Sequence, residues 1–165
     1  MLVILVDGAC RPNPGMMGYA AVLLRDGEIL AEVAESCSEK GTNNTSEMLA
    51  ITLALTTAQG HVKPEEGITI VSDSNLAIGL LSKSHKTKLP HLARLRHDIR
   101  RIEKALGVAV TYEKGGDDDE LFQLVDALSK EAVPLSPEEI ATNALVEKVM
   151  ANTIPQGYKE KETDE

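Results

Sequence analysis

The stretch LVILVDGACRPNPGMMG, residues 2–18, decides the fold of this chain. Its first five residues are apolar and mostly β-branched, which predicts a buried central strand. Asp7 ends that run, and Gly8 opens a loop rich in Pro and Gly before a second strand that we predict to begin at Tyr19. A carboxylate on a rigid strand is held in place, as a metal ligand or catalytic group must be. The alternative is that Asp7 only forms a turn with Gly8.

The order of elements around this stretch predicts the fold class. Asp26-Gly27 is typical of a tight hairpin turn, and it joins the second strand to a third. Helical and strand patterns then alternate, giving βββαβααβα and a C-terminal helix. We therefore predict a mixed α/β fold with a five-stranded sheet, consisting of a three-strand antiparallel meander and two parallel strands, with helices on both faces. Residues 1–133 form the predicted main domain, and residues 134–165 a C-terminal helix and polar tail.

The composition narrows the class of protein. The chain has 165 residues, of which 42% are hydrophobic, with three Tyr, one Phe and no Trp. This predicts one domain of ordinary size with an aliphatic core. Two cysteines do not make a disulfide framework. No apolar run approaches a membrane span, and no basic region precedes the first one. We expect a cytoplasmic protein with no membrane partner, and no obligate protein partner is evident.

The charge distribution is uneven. The net charge is −9, but residues 81–104 contain eight Lys or Arg against two acids. A basic element on an acidic body is a candidate phosphate-contacting surface. The alternative is a solvated amphipathic helix.

Four acidic residues lie where the predicted elements would converge. Asp7 and Asp73 each follow an apolar strand, and a right-handed crossover would make those strands parallel neighbours. Glu47 starts the predicted helix 47–59, where it could equally be a capping carboxylate. Asp126 lies among apolar residues of the predicted helix 121–132. Four clustered carboxylates would repel each other without cations, and oxygen ligands favour Mg²⁺ or Mn²⁺.

Four segments together resemble a known family. DGACRPNPGMMGYAAVL, GTNNTSEMLAITLAL, IVSDSNLAI and VDALSKEA occur in the order and spacing of type 1 ribonuclease H, and the resemblance covers residues 2 to about 132. It implies a ribonuclease H-like catalytic domain over residues 1–133. It also implies an endonuclease that hydrolyses the RNA strand of RNA–DNA hybrids by a two-metal-ion mechanism, leaving 5′-phosphate and 3′-hydroxyl ends.

The resemblance also implies site residues. The catalytic, metal-binding carboxylates would be Asp7, Glu47, Asp73 and Asp126, holding two Mg²⁺ ions for which Mn²⁺ can substitute. Small polar side chains would contact the minor groove of the hybrid, and a second group would bind a DNA phosphate. The basic stretch, residues 82–101, would bind the DNA strand. These positions are Cys10, Asn13, Asn43, Asn44 and Asn75 for the groove, Asn13, Lys40 and Thr42 for the phosphate, and Lys86, Lys88 and Arg94 for the strand.

The sequence departs from the family before the last carboxylate and in a basic stretch that lacks the aromatic side chains of relatives, and it leaves alternatives open. Many relatives have a His shortly before the last carboxylate, whereas this chain reads KGGDDDELFQLVD there. One of Asp117, Asp118 or Asp119 could contribute to the metal site. We expect no further hybrid-binding domain ahead of Asp7. The alternative functions are a related, resolvase-like nuclease acting on DNA, and a non-catalytic hybrid-binding protein.

Overall fold

The computed structural model of the chain describes residues 1–82, 85–116 and 119–153. It divides into two compact units, Met1–Pro134 and Leu135–Glu165. Among the expectations above, those for Asp117, Asp118 and the polar tail lie outside the described residues. Within the described ranges, no helix combines the length and the apolarity that crossing a bilayer requires.

The predicted order of elements is confirmed. The strands are β1 (Leu2–Arg11), β2 (Gly15–Arg25), β3 (Glu28–Gly41), β4 (Ile68–Ser72) and β5 (Val110–Lys114). The helices are α1 (Asn43–Ala58), α2 (Asn75–Ser82), α3 (Pro90–Leu106), α4 (Glu120–Ala132) and α5 (Pro137–Thr153).

The strands form one mixed sheet in the order β3-β2-β1-β4-β5. β1 and β2 pair antiparallel, as do β2 and β3, whereas β1 is parallel to β4 and β4 to β5. The turn between β2 and β3 has Asp26 and Gly27 at φ 52° and 80°, which is the left-handed geometry of a tight hairpin turn. The predicted meander and parallel pair are therefore confirmed.

The central strand is apolar on both faces because helices cover both sides of the sheet. Leu2, Ile4 and Val6 pack with α1, α2 and α3 in one cluster. Leu5 points the other way and packs with Phe122 and Val125 of α4. This explains why the opening run of β1 does not alternate between polar and apolar residues.

Several predicted boundaries were wrong. β1 continues past Asp7 to Arg11, and β2 begins at Gly15 rather than at Tyr19, because these segments still pair with each other after β4 has ended. Helix α1 begins at Asn43, since the side chain of Thr42 accepts a hydrogen bond from Thr45 N and caps it. β5 covers Val110–Lys114, so Lys114 is its last residue.

Helix α5 of the second unit begins with a reciprocal cap. Ser136 Oγ accepts from Glu139 N at 3.2 Å, and Ser136 N donates to a carboxylate oxygen of Glu139 at 2.7 Å. This is the S-x-x-E capping box, with Pro137 as the first helical residue.

Candidate active site

Asp7 and Asp73 are brought together by the parallel pairing of β1 and β4. Leu5 lies opposite Val71 in that ladder, so Asp7 is level with Asp73, which directly follows β4. Asp7 is 7% exposed, and Asp73 is partly exposed. The two carboxylates therefore meet at the carboxyl ends of neighbouring parallel strands, where α/β sheets hold their ligands.

Glu47 reaches this pair because Gly8 lets α1 approach β1 closely. A Cβ at position 8 would lie 2.5 Å from the backbone nitrogen of Glu47, so no other residue fits there without a shift. Glu47 is 8% exposed, and its Oε2 has no hydrogen-bond partner. It lies beyond the first turn of α1, which has no acidic residue, so the alternative interpretation of Glu47 as a first-turn cap is wrong.

The three carboxylates form one tight cluster. One oxygen each of Asp7, Glu47 and Asp73 lies within 4.8 Å of the others. Burial raises the pKa of Glu47 to about 9, with further contributions from the charges of Asp7 and Asp73. Burial likewise raises the pKa of Asp7 to about 6, and the nearby charges of Asp73 and Asp126 add to it. The cluster thus resists full ionisation until a cation offsets its charge.

Asp126 lines the same cleft but lies outside the tight cluster. The cleft has a volume of about 230 Å³ and is lined by Asp7, Asp73, Phe122, Gln123 and Asp126. The Asp126 side chain is 48% exposed although apolar residues flank it in the sequence, because Leu124, Val125 and Leu128 pack against the sheet whereas Asp126 lines the cleft. Lys130 Nζ lies 2.7 Å from Asp126 Oδ2, and this contact raises the pKa of Lys130.

Helix α4 is fixed against the sheet at two points. A Cβ on Gly18 of β2 would lie 2.5 Å from the backbone nitrogen of Val133, so the helix end and the strand touch backbone to backbone. Ser129 is fully buried, and its Oγ donates to Asp7 Oδ2 at 2.5 Å. Helix α4 is thereby held where Asp126 faces Asp7.

The predicted substrate-binding residues near α1 lie at the β1–β2 turn, at the end of β3 and at the start of α1. Asn13 Oδ1 accepts from Asn43 N at 3.3 Å, which joins the β1–β2 turn to the start of α1. Asn43 and Asn44 are exposed there. Cys10 is buried at 7% exposure, and its thiol faces the backbone carbonyls of Pro12, Gly15 and Gly41 at 3.2–3.4 Å. Lys40 is exposed near the end of β3.

Two further candidate residues have hydrogen-bond partners within the protein. Asn75 is exposed at the start of α2, and its Oδ1 accepts from Lys114 Nζ at 2.8 Å. Asp119 caps α4, since its Oδ1 accepts from Leu121 N at 3.0 Å. Within the described part of the acid-rich loop, this carboxylate therefore has a helix-capping partner.

The basic stretch is partly engaged within the protein. Lys86, Lys88 and Arg94 are exposed. Arg100 instead binds Glu103 through Nη1 at 2.9 Å and the carbonyl of Leu81 through Nη2 at 2.6 Å. The charge available to a partner is therefore smaller than the sequence count.

Sequence reasoning missed four polar residues of the site that the structure describes: Gln123, which lines the cleft, and Ser129, Lys130 and Lys114. Ser129 and Lys130 stand three and four residues after Asp126, the spacing that puts them on its face of a helix. That spacing was a usable signal for Lys130, whereas no sequence signal connects Ser129 with Asp7 or Lys114 with Asn75.

Comparison with known protein sequences matches the chain to ribonucleases H. The RNase H family profile matches residues 1–130. The ribonuclease H of Thermoanaerobacter sp. (strain X514) is 30% identical over 143 residues, which cover 79% of this chain and 88% of that protein. The ribonuclease H of Caldicellulosiruptor saccharolyticus is 31% identical over 83 residues, so the match spans 50% of this chain and about half of that relative, 53%.

Solved structures share the fold. RNase H1 from the halophilic archaeon Halobacterium salinarum NRC-1 superposes with a TM-score of 0.71 at 29% identity, covering 79% of this chain and 96% of that one. LC11-RNase H1, solved in complex with an RNA/DNA hybrid, gives a TM-score of 0.74 at 24% identity, with 81% and 96% covered.

Proposed function

Because this chain belongs to the ribonuclease H family, we propose that it is a metal-dependent endonuclease that hydrolyses the RNA strand of RNA–DNA hybrids, leaving 5′-phosphate and 3′-hydroxyl ends. The observation that carries the proposal is the cluster of Asp7, Glu47 and Asp73, whose oxygens lie within 4.8 Å of one another. Carboxylates placed this close together in a largely buried position are unfavourable by themselves, and a cation site accounts for them.

The donor set fits divalent metal. It consists only of carboxylate oxygens, which suit Mg²⁺ and Mn²⁺, and one of them, Glu47 Oε2, is buried without a partner. Asp7, Glu47 and Asp73 would hold one ion, and Asp126 at the cleft would complete a second position with Asp7. When bound, two such ions supply an activated water and charge stabilisation at the departing 3′ oxygen.

The chain's own residues contribute rigidity and charge. Asp7 is fixed by the strand and by Ser129, so its two oxygens keep their directions as the cluster fills. Glu47 is held by the close approach of α1 at Gly8. The Asp126 side chain is 48% exposed, and Lys130 offsets its charge until a cation takes that place.

Substrate choice would rest on Asn13, Asn43, Asn44 and Asn75. An amide can both donate hydrogen bonds to base edges and 2′-hydroxyls and accept them, and the first two residues are already joined through Asn13 Oδ1 and Asn43 N. The 2′-hydroxyl distinguishes an RNA strand from DNA, so these side chains support cleavage of the RNA strand. Lys86, Lys88 and Arg94 would bind phosphates of the DNA strand.

The test is cleavage of an end-labelled RNA–DNA hybrid with Mg²⁺, Mn²⁺ or EDTA. Duplex DNA, duplex RNA and branched DNA serve as parallel substrates. We expect cation-dependent cleavage of the RNA strand alone, and its loss in Asp73→Asn, with Glu131→Gln, an exposed acid of α4, as the matched control. Cleavage of branched DNA in preference to hybrid would make this a DNA-directed nuclease, and hybrid binding without cleavage would make it a binding protein.

A further inference from the structure

The end of β5 is tied to the turn that carries Asp73 and Asn75. Lys114 lies opposite Ser72 in the β4–β5 ladder, and Gly115 N donates to Ser72 O at 2.9 Å. From this position the Lys114 ammonium donates to the backbone carbonyl of Asp73 and to Asn75 Oδ1, the latter at 2.8 Å. One side chain therefore contacts both residues on the α2 side of the cleft.

The ammonium determines which way the Asn75 amide points. Lysine has three donors and no acceptor, so only the carbonyl oxygen of an amide can face it. The flipped amide would place two N–H groups against a cation. Asn75 Nδ2 is consequently directed away from Lys114, and because Asn75 is exposed, its two N–H donors can reach a ligand.

A side chain that is held as a donor can form a hydrogen bond in the minor groove at any base pair. Every base pair offers acceptors there, purine N3 and pyrimidine O2, and only guanine adds a donor. An amide that could turn would accept from guanine N2 as readily as it donates elsewhere. An amide held as a donor finds a partner at every base pair and selects none.

We propose that Lys114 is a positioning residue that holds Asn75 as a hydrogen-bond donor to the minor-groove acceptors of the bound hybrid, making the contact independent of base sequence. This inference rests on the proposed function, since it takes an RNA–DNA hybrid as the ligand. It assigns Lys114 a role in recognition in addition to its contact with the Asp73 backbone.

The experiment uses hybrids in which a single purine is replaced by its 3-deaza analogue, which keeps Watson–Crick pairing and removes the N3 acceptor. The analogue is placed at successive positions of a fixed sequence. Binding is measured by fluorescence anisotropy with Mg²⁺ in the full chain carrying Glu47→Gln, which prevents cleavage. On a hybrid short enough to be bound in a single register, we expect one position at which loss of N3 weakens binding roughly 2- to 12-fold, as for a single hydrogen bond.

Substitutions then identify the residues responsible. Asn75→Ala should abolish the effect of N3 removal at that position, Lys114→Met should reduce it below about twofold, and Lys114→Arg should restore it, because a guanidinium also offers only donors. Lys63→Met is the matched control, an exposed lysine in the segment between α1 and β4.

A purely structural role for Lys114 gives a different result. If the residue acts only through the Asp73 carbonyl, Lys114→Met weakens binding of all hybrids equally and the N3 effect persists, which overturns the inference. The inference is also overturned if the Glu47→Gln protein, with Asn75 and Lys114 unchanged, shows no position at which removal of N3 weakens binding. Failure of the Glu47→Gln protein to bind any hybrid overturns the proposed function itself, and the inference with it.

Discussion

Ser129 Oγ lies 2.5 Å from Asp7 Oδ2, a hydrogen bond between residues 122 positions apart that joins α4 to β1 inside the candidate site. The same oxygen lies 2.9 Å from the backbone carbonyl of Asp126. A hydroxyl has one hydrogen, so Ser129 can donate to only one of these acceptors at a time. The serine thus connects the element carrying Asp126 to the carboxylate at the centre of the cluster.

Removing this hydroxyl should destabilise the protein and impair the site. Ser129→Ala leaves Asp7 without its side-chain donor, and we expect a loss of about 1.5–3 kcal/mol in the free energy of unfolding, measured by urea titration without metal. Cleavage should fall while hybrid affinity is retained. Ser82→Ala is the control, because Ser82 is exposed and its Oγ donates to the Ile78 carbonyl of its own helix, and it should change stability by less than about 0.5 kcal/mol. Equal losses in the two variants would contradict the assignment.

The metal-free protein should lose stability as pH rises. Asp7 and Glu47 have pKa values raised from 3.8 to about 6 and from 4.5 to about 9, so between these limits the folded state binds more protons than the unfolded state. The stabilisation is fully present below the pKa values that the two groups have in the unfolded chain. Above those values, each group lowers the free energy of unfolding by up to about 1.4 kcal/mol per pH unit, until the pH reaches its pKa in the folded state. Thermal melts in EDTA between pH 5 and 8 measure this slope.

Two variants separate this effect from other titrations. Glu47→Gln should flatten the slope, whereas Glu131→Gln should leave it unchanged. Glu66, whose pKa is lowered to about 2 by its hydrogen bond from Arg25, contributes only below pH 4.5 and lies outside the range. Adding Mg²⁺ should raise the melting temperature most at high pH, where the carboxylates are ionised; a pH-independent shift would count against a cation site.

Lys130 should compete with a cation for Asp126. Its Nζ lies 2.7 Å from Asp126 Oδ2, with the two side chains 58% and 48% exposed. Partly exposed pairs of this kind contribute about 0.2–1 kcal/mol, so Lys130→Met should tighten Mg²⁺ binding by roughly 1.5- to 5-fold in calorimetric titration. Lys104→Met, an exposed lysine of α3, should have no effect. Weaker Mg²⁺ binding in Lys130→Met would mean that the lysine supports the metal site.

The basic stretch should determine the salt dependence of hybrid binding. Replacing Lys86, Lys88 and Arg94 together by Ala should lower the slope of log K against log salt by roughly 0.9 for each phosphate that the variant no longer neutralises. Arg100 is kept, because it already binds Glu103 and Leu81 O. A slope equal to that of the wild type would identify this surface as merely solvated.

The sequence determined the sheet and two of its acids. Apolar runs of β-branched residues ended by Asp7 and Asp73 predicted parallel neighbours, because strand period and crossover handedness are properties of the local chain. The start of α1 was missed because Thr42, Asn44 and Thr45 are all good caps by type. In the structure Thr42 caps the helix, next to the hydrogen bond that Asn43 N donates to Asn13.

Tertiary structure alone decided how the acids are supported. Gly8 and Gly18 are ordinary glycines in the sequence, yet each permits a backbone contact that sets the position of α1 or α4. Ser129 and Lys114 are of residue types that usually lie on the surface. Their partners, Asp7 and Asn75, are distant in the chain. Local periodicity fixes which face of an element is apolar, whereas such contacts depend on the register and depth at which separate elements pack.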